Sequence, residues 1–167
     1  MKRFTRKELV ELLKQNNTQQ PKAKYSNNIL LKMLGATDNN FVATLEPTRK
    51  GFAFNRGSLC ECLVKYAITG ETEKSQCFES DLDTSKVADT YGLPKSSNIE
   101  IKYSTSFSPA THKTSKAHFT VIVCEKGAYL IESKNLISTS AGKININNQR
   151  QQDLISLNRL NQRLGLN

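Results

Sequence analysis

The clearest structural signal in the sequence is a β-hairpin in its second half. The segments HFTVIVC and AYLIES, residues 118–124 and 128–133, are rich in β-branched and aromatic residues, and EKG lies between them. Two such runs joined by a short turn that contains glycine are typical of two antiparallel strands. Because a hairpin with apolar faces needs other elements to cover it, we expect the chain to fold as a layered domain.

A further strand is predicted from the alternation in the segment NIEIKYS. Ile99, Ile101 and Tyr103 would point to one face of such a strand, whereas Glu100 and Lys102 would share the opposite face. The segment KININ alternates in the same way and predicts another strand.

Helices are predicted on both sides of these strands. NILLKMLG reads as a short apolar helix, and SLCECLVKYAITG as a longer one. In the longer helix Leu59, Cys62, Leu63 and Tyr66 recur at helical spacing and predict a buried stripe. The closing segment NQRQQDLISLNRLNQRLG predicts an amphipathic helix over residues 148–165, with its leucines inward and its arginines outward.

The order of these elements predicts the fold class. Helices, an irregular acidic stretch, strands and a final helix indicate an α/β or α+β fold with helices against a small mixed sheet. The 167 residues are enough for one domain with a sizeable core. We divide the chain into a basic N-terminal helical arm, residues 1–40, and a core that ends in the C-terminal helix, residues 41–167.

The chain is strongly basic. Its formal net charge is +9, from 24 Lys and Arg against 15 Asp and Glu. A soluble protein of this charge commonly meets a polyanion such as DNA, RNA or an anionic membrane. Residues 1–25 hold seven basic residues against two acidic ones. This arm would either lie on phosphates or form a solvated terminus, and its composition fits both interpretations equally.

The sequence favours a cytoplasmic protein. No apolar run approaches the roughly 20 residues that span a bilayer, and MKRFTRKELVELLK lacks the uncharged apolar segment of a secretory signal. The cysteines are therefore expected to be reduced and buried. Their spacing does not match the common zinc sites; they are Cys60, Cys62, Cys77 and Cys124.

The side chains of Glu100 and Lys102 have two interpretations. They could be the polar face of an ordinary half-exposed strand, or a metal ligand next to a cation. Hydrolysis of a phosphodiester uses Mg²⁺ held by carboxylates, and an amine can stabilise the transition state. Glu61 on the preceding helix and an aspartate of the acidic stretch would supply further carboxylates. Glu61 and Lys65 could equally form an i,i+4 surface pair.

A helical glutamate, then an aspartate, then Glu-x-Lys on an apolar strand resembles the PD-(D/E)xK nuclease superfamily, which has the restriction-endonuclease-like fold. The resemblance covers residues 51–132 and is closest to small phage and mobile-element nucleases. It implies an αβββαβ core, flanked here by N-terminal helices and a C-terminal helix. It also implies cleavage of DNA with Mg²⁺ or Mn²⁺. At the matching positions it implies catalysis by Asp89, Glu100 and Lys102, with Glu61 assisting Asp89 and Glu100 in binding the metal.

Three aspartates compete for the position of the family's aspartate. We assign it to Asp89, because VADT resembles the strand start that carries this residue and YGLPKSSN supplies a turn towards Glu100. That turn would lay the Asp89 strand antiparallel beside the Glu100 strand. Asp81 and Asp83 lie in ESDLDTS, where they are expected to be solvated or to form turns.

Nucleic acid is the expected partner. Lys113 and Lys116, in a loop rich in Ser and Thr, are candidates for phosphate contacts, together with Arg56, Lys22 and Lys24. DNA is the expected substrate, RNA is also compatible, and a homodimer would suit the cutting of two strands. The alternative is a non-catalytic protein on the same fold that binds nucleic acid or serves as a phage or mobile-element interaction protein.

Overall fold

The computed structural model describes residues 29–30, 32–36, 56–70, 81–105, 110–111 and 116–167. Residues 29–30 and 32–36 are helical, as the pattern NILLKMLG predicts. The other elements are helix α1 (Arg56–Thr69), strands β1 (Leu82–Asp83), β2 (Asn98–Tyr103), β3 (Ala110–Thr111), β4 (Phe119–Cys124), β5 (Gly127–Glu132), β6 (Lys143–Ile144) and β7 (Ile155–Ser156), and helix α2 (Asn158–Leu164).

The strands form a five-stranded mixed sheet in the order β1-β2-β4-β5-β7 and a separate two-stranded sheet of β3 and β6. At the centre, β2 and β4 run parallel, and Ile101 lies opposite Val121. Strands β4 and β5 form the predicted antiparallel hairpin, from Phe119 opposite Glu132 to Cys124 opposite Gly127. The expectation of a mixed α+β fold with helices on a small mixed sheet is therefore confirmed.

One face of the sheet carries the main core. Ile99, Ile101 and Val121 on this face pack in one cluster with Leu59 of α1 and Leu160 of α2. Four of the helical residues that precede α1 belong to the same cluster; they are Ile29, Leu30, Met33 and Leu34. The side chains of Leu30 and Leu34 are fully buried there. Of the predicted arm, residues 1–40, the apolar residues at 29–30 and 33–34 are therefore packed into the core, whereas residues 1–28, 31 and 37–40 lie outside the described residues. None of the described helices has the length and apolar character that crossing a bilayer requires.

The opposite face of the sheet is covered by the chain between β5 and β7. Ile122, Cys124 and Ile131 form a second cluster with Ile146, and Leu154 packs against it. This arrangement follows from strand geometry, because alternate residues of β4 and β5 point to opposite faces. Both faces of the central hairpin are thus apolar and buried, as expected for the interior strands of a sheet covered on two sides.

The C-terminal helix is shorter than its sequence pattern predicts. A helix over residues 148–165 is wrong, because α2 begins only at Asn158 and the preceding residues form short 3₁₀ turns and strand β7. Strand β7 pairs with the free edge of β5, where Ile155 lies opposite Leu130. The Leu157 N–H then donates to the Ala128 carbonyl at 3.1 Å. Pairing with an open sheet edge outweighs the local helical preference here.

A buried asparagine joins α2 to the hairpin. The Asn161 side chain is 2% exposed, its Oδ1 accepts the Ala128 N–H at 2.6 Å, and its Nδ2 donates to the Ala128 carbonyl at 3.3 Å. Gly127 has a φ of 114°, and a Cβ at that position would lie 3.0 Å from the Asn161 amide. Glycine therefore allows both the turn and the close approach of Asn161.

Replacing this asparagine should destabilise the fold. Asn161→Ala leaves two buried backbone groups of Ala128 without their side-chain partner, so we expect the free energy of unfolding to fall by about 1–3 kcal/mol. Urea denaturation followed by circular dichroism would measure this. Gln162→Ala, on the exposed side of the same helix, should change stability by less than about 0.5 kcal/mol. Equal effects for the two variants would contradict the role given to Asn161.

Candidate functional site

Strand β2 holds an acid and an amine side by side. Its burial alternates, so that Ile99, Ile101 and Tyr103 are buried and the residues between them are only partly exposed. Lys102 Nζ forms an ion pair with Glu100 Oε1, and the two side chains are 21% and 17% exposed. The predicted alternation is confirmed, and the pair is shielded from water more than a surface ion pair normally is.

The ion pair lies on the face of the sheet that is opposite to α1. Ile99 and Ile101 pack with α1 in the main core, so Glu100 and Lys102 must point to the other face. In the parallel register, their neighbours on β4 are Thr120 and Ile122. The structure thus carries Glu61 on a helix that lies across the sheet from this pair.

Asp81 approaches the backbone of β2 from the edge of the sheet. It immediately precedes β1, and its backbone N–H donates to the Ile99 carbonyl at 3.0 Å. Its carboxylate Oδ2 accepts the Ile101 N–H at 2.6 Å. Ile101 is the residue between Glu100 and Lys102, so this hydrogen bond holds the Asp81 carboxylate at the Glu-x-Lys segment.

The carboxylate charge of Asp81 also affects the thiol of Cys60 on α1. Burial raises the pKa of the Cys60 thiol well above its usual value, and the charges of Glu61 and Asp81 and the neighbouring Cys62 thiol raise it further. Cys60, Cys62 and Cys124 are buried and form no disulfide, as expected for reduced cysteines, whereas Cys77 lies outside the described residues. A raised pKa means little thiolate at neutral pH, so Cys60 is not suited to act as a nucleophile.

Asp89 does not lie on a strand beside Glu100, and that prediction is wrong. Asp89 is an exposed turn residue whose Oδ1 accepts the Tyr91 N–H at 3.0 Å. Its Oδ2 accepts a hydrogen bond from Arg159 Nη2 at 2.9 Å, and the Arg159 guanidinium lies 5.6 Å from the centre of the Tyr91 ring. The Asp89 carboxylate therefore joins its loop to α2, away from β2.

The reason for this error is the position of strand β1. The strand that pairs antiparallel with β2 is Leu82–Asp83, with Leu82 opposite Ile99 and Asp83 opposite Asn98. The Asp83 carboxylate caps the next turn: it accepts hydrogen bonds from the Ser85 hydroxyl and N–H, which lower its pKa. The turn-forming role expected for Asp83 is thus confirmed, and the apolar residue between Asp81 and Asp83 was the available signal for a strand there.

The predicted three-carboxylate metal site is not assembled. Across the described ranges, no three His, Cys, Asp or Glu side chains are grouped so that they could hold a metal ion. Asp89, Glu100 and Glu61 therefore do not form such a group. Two carboxylates remain at the Glu-x-Lys segment: Glu100 on β2, and Asp81, which is held at the Ile101 N–H. Mg²⁺ is commonly bound by one or two carboxylates, with water and substrate phosphate as the other ligands, so this donor set fits its chemistry.

The predicted phosphate-binding residues are only partly within the described structure. Lys116 is exposed, before β4, and Arg56 is the first residue of α1. Lys22, Lys24 and Lys113 lie outside the described residues.

Comparison with models of protein families, with curated proteins and with solved structures finds no significant match to this chain.

The contact between Asp81 and β2 predicts a stability effect that depends on the hydrogen-bond acceptor. Asp81→Ala leaves the Ile101 N–H without this partner, and we expect it to lower the free energy of unfolding by about 1–2 kcal/mol. Asp81→Asn keeps an acceptor oxygen and should cost clearly less. Urea denaturation of both variants would test this. If Asp81→Asn is as destabilising as Asp81→Ala, the contribution comes from the charge and not from the hydrogen bond.

Proposed function

We propose that this protein is a divalent-metal-dependent nuclease that hydrolyses DNA phosphodiester bonds, with Asp81, Glu100 and Lys102 as its site. The observation that carries the proposal is the hydrogen bond between the Asp81 carboxylate and the Ile101 N–H. It brings an upstream aspartate to a Glu-x-Lys segment on a strand, which is the combination expected from the resemblance. Asp81 takes the role that the sequence pattern suggested for Asp89.

Each of the three side chains has a chemical role in this proposal. Asp81 and Glu100 provide hard oxygen ligands for Mg²⁺ or Mn²⁺. When bound, the metal supplies an activated water and neutralises charge on the phosphate. Lys102 provides a cation within reach of the same phosphate and stabilises the negative charge that develops there. Glu61 is left out of the ligand set, because α1 packs on the opposite face of the sheet.

The fold supports a restriction-endonuclease-like core in part. Helix α1 precedes β1 and β2, which are antiparallel, and it packs against the sheet that carries Glu-x-Lys. The described part of the connection between β2 and β4 contains β3, where a crossover between parallel strands usually has a helix. The proposal of the αβββαβ core therefore depends on α1, β1 and β2, with Asp81 directly before β1 and Glu100 on β2.

Cleavage assays on two upstream aspartates would test this assignment. With Mg²⁺ or Mn²⁺ and single- or double-stranded DNA, Glu100→Ala and Asp81→Asn should abolish cleavage because each removes a metal ligand. Lys102→Ala should slow it about 10²–10³-fold, as expected for loss of a group that stabilises the transition state. Asp89→Asn is the matched control and should keep activity within about threefold, since Asp89 contacts Tyr91 and Arg159 instead.

Two outcomes would contradict this proposal. If Asp89→Asn loses as much activity as Asp81→Asn, Asp81 is not the ligand. If the unmodified protein cuts neither DNA nor RNA with either metal, a non-catalytic nucleic-acid-binding protein is favoured. The ion pair between Lys102 and Glu100 supports that second candidate, because it already neutralises the carboxylate.

Both functions require binding to phosphates, and the net charge of +9 predicts a strong dependence on salt. The logarithm of the affinity for duplex DNA should fall against the logarithm of salt concentration with a slope of about −0.9 per phosphate neutralised. In the double variant Lys22→Gln, Lys24→Gln, this slope should become shallower by the contribution of about two neutralised phosphates. Fluorescence anisotropy would measure both slopes. An affinity that does not change between low and physiological salt would contradict phosphate binding.

A further inference from the structure

We propose that Lys102 acts as an internal cation that blocks metal binding at Glu100 until DNA phosphate arrives, so that metal and DNA bind cooperatively. This inference rests on the proposed function, since it concerns the regulation of the same site. It assigns to Lys102 a role in binding that is separate from its role in the chemistry.

The ion pair places the ammonium of Lys102 directly at the carboxylate that the metal needs. Lys102 Nζ contacts Glu100 Oε1, and both side chains are more than three-quarters shielded from water. Two positive charges at one shielded carboxylate repel each other strongly. A metal ion can therefore bind Glu100 well only when the ammonium moves away or loses its competition for the oxygen.

Directly opposite Lys102 on β4, the ammonium has no acceptor side chain. Lys102 lies opposite Ile122 in the parallel register, and Ile122 is completely buried and has an apolar side chain. Because the metal would also occupy the Asp81 carboxylate, an ammonium that leaves Glu100 needs a new anionic partner. A phosphate of bound DNA is such a partner, and it would release Glu100 for the metal.

A second Glu-x-Lys pair in the chain differs from the first in how far its side chains are exposed to solvent. Glu132 and Lys134 are also two residues apart and form an ion pair, but their side chains are 45% and 77% exposed. Water and salt weaken such an exposed pair, so it would oppose metal binding very little. Burial is therefore what makes Lys102 an effective competitor, and Lys134 is a natural control for it.

Cooperativity follows from thermodynamic linkage. If phosphate draws Lys102 from Glu100 and so raises metal affinity, the metal must raise DNA affinity by the same factor. Couplings between binding sites are typically 5- to 150-fold. Removing the ammonium should remove this coupling, because Lys102 would no longer compete with the metal for Glu100.

The experiment measures Mn²⁺ binding by isothermal titration calorimetry without DNA, in the unmodified protein and in variants. Lys102→Met should bind Mn²⁺ about tenfold more tightly or better, whereas Lys134→Met, with the same change in net charge, should stay within about twofold. Lys102→Gln serves as a second variant if Lys102→Met does not fold. Affinity for a phosphorothioate DNA duplex, measured by anisotropy, should rise with Mn²⁺ in the unmodified protein and rise less in the Lys102 variant.

The outcomes separate this inference from the proposed function. If Glu100→Ala abolishes Mn²⁺ binding but Lys102→Met binds no more tightly than the unmodified protein, the metal site stands and the blocking role is wrong. If Lys134→Met gains as much affinity as Lys102→Met, the effect is one of net charge and the inference is also wrong. If no protein binds Mn²⁺ at all, the proposed metal-dependent function fails as well.

Discussion

The parallel pairing of β2 with β4 is the interaction on which the rest of the structure depends. Its register aligns Ile99, Ile101 and Tyr103 with Phe119, Val121 and Val123. The apolar side chains of the two strands then form one continuous surface, which α1, α2 and the helical residues at 29–36 cover. Burial of this surface is the main source of stability, since the hydrophobic effect grows with the apolar area removed from water. Among the described elements, β1, β5 and β7 extend this sheet, and α1 and α2 pack on one of its faces.

The same pairing determines where charge can lie. Alternation along β2 sends Glu100 and Lys102 to the face opposite the helices, beside Thr120 and Ile122. An unpaired charge in such a shielded place would be costly, and the acid and the amine neutralise each other. The ion pair therefore stabilises the folded protein in the absence of a metal, and a metal ion must disrupt it in order to bind Glu100. The regulatory role inferred for Lys102 follows from this competition between its ammonium and the metal for Glu100.

The edges of the sheet are closed by side chains as much as by strands. At one edge β1 has only two residues, and the Asp81 carboxylate takes the Ile101 N–H just before that strand begins. At the other edge β7 is equally short, and Asn161 of α2 takes both backbone groups of Ala128. Open strand edges invite pairing with other chains, and such short edges supported by polar side chains limit it. The Asp81 carboxylate thus stabilises the edge of the sheet at the position where the proposed chemistry would use it as a metal ligand.

The sequence by itself determined the local elements and the Glu100–Lys102 pair. Alternation with period two identifies β2, runs of β-branched and aromatic residues around a glycine turn identify β4 and β5, and helical spacing identifies α1. Two residues apart on a strand, Glu100 and Lys102 share a face wherever that strand lies. Only the tertiary structure decided which aspartate meets β2, on which side Glu61 lies, and where α2 begins. Those features depend on how distant segments pair. The antiparallel register of β1 and β2 places Asp81 beside the Glu-x-Lys segment. Pairing with the open edge of β5 makes part of a helical sequence pattern form β7 instead. Local periodicity contains no information about such long-range pairing, which is why the sequence left three aspartates open and only the fold shows that the Asp81 carboxylate accepts the Ile101 N–H.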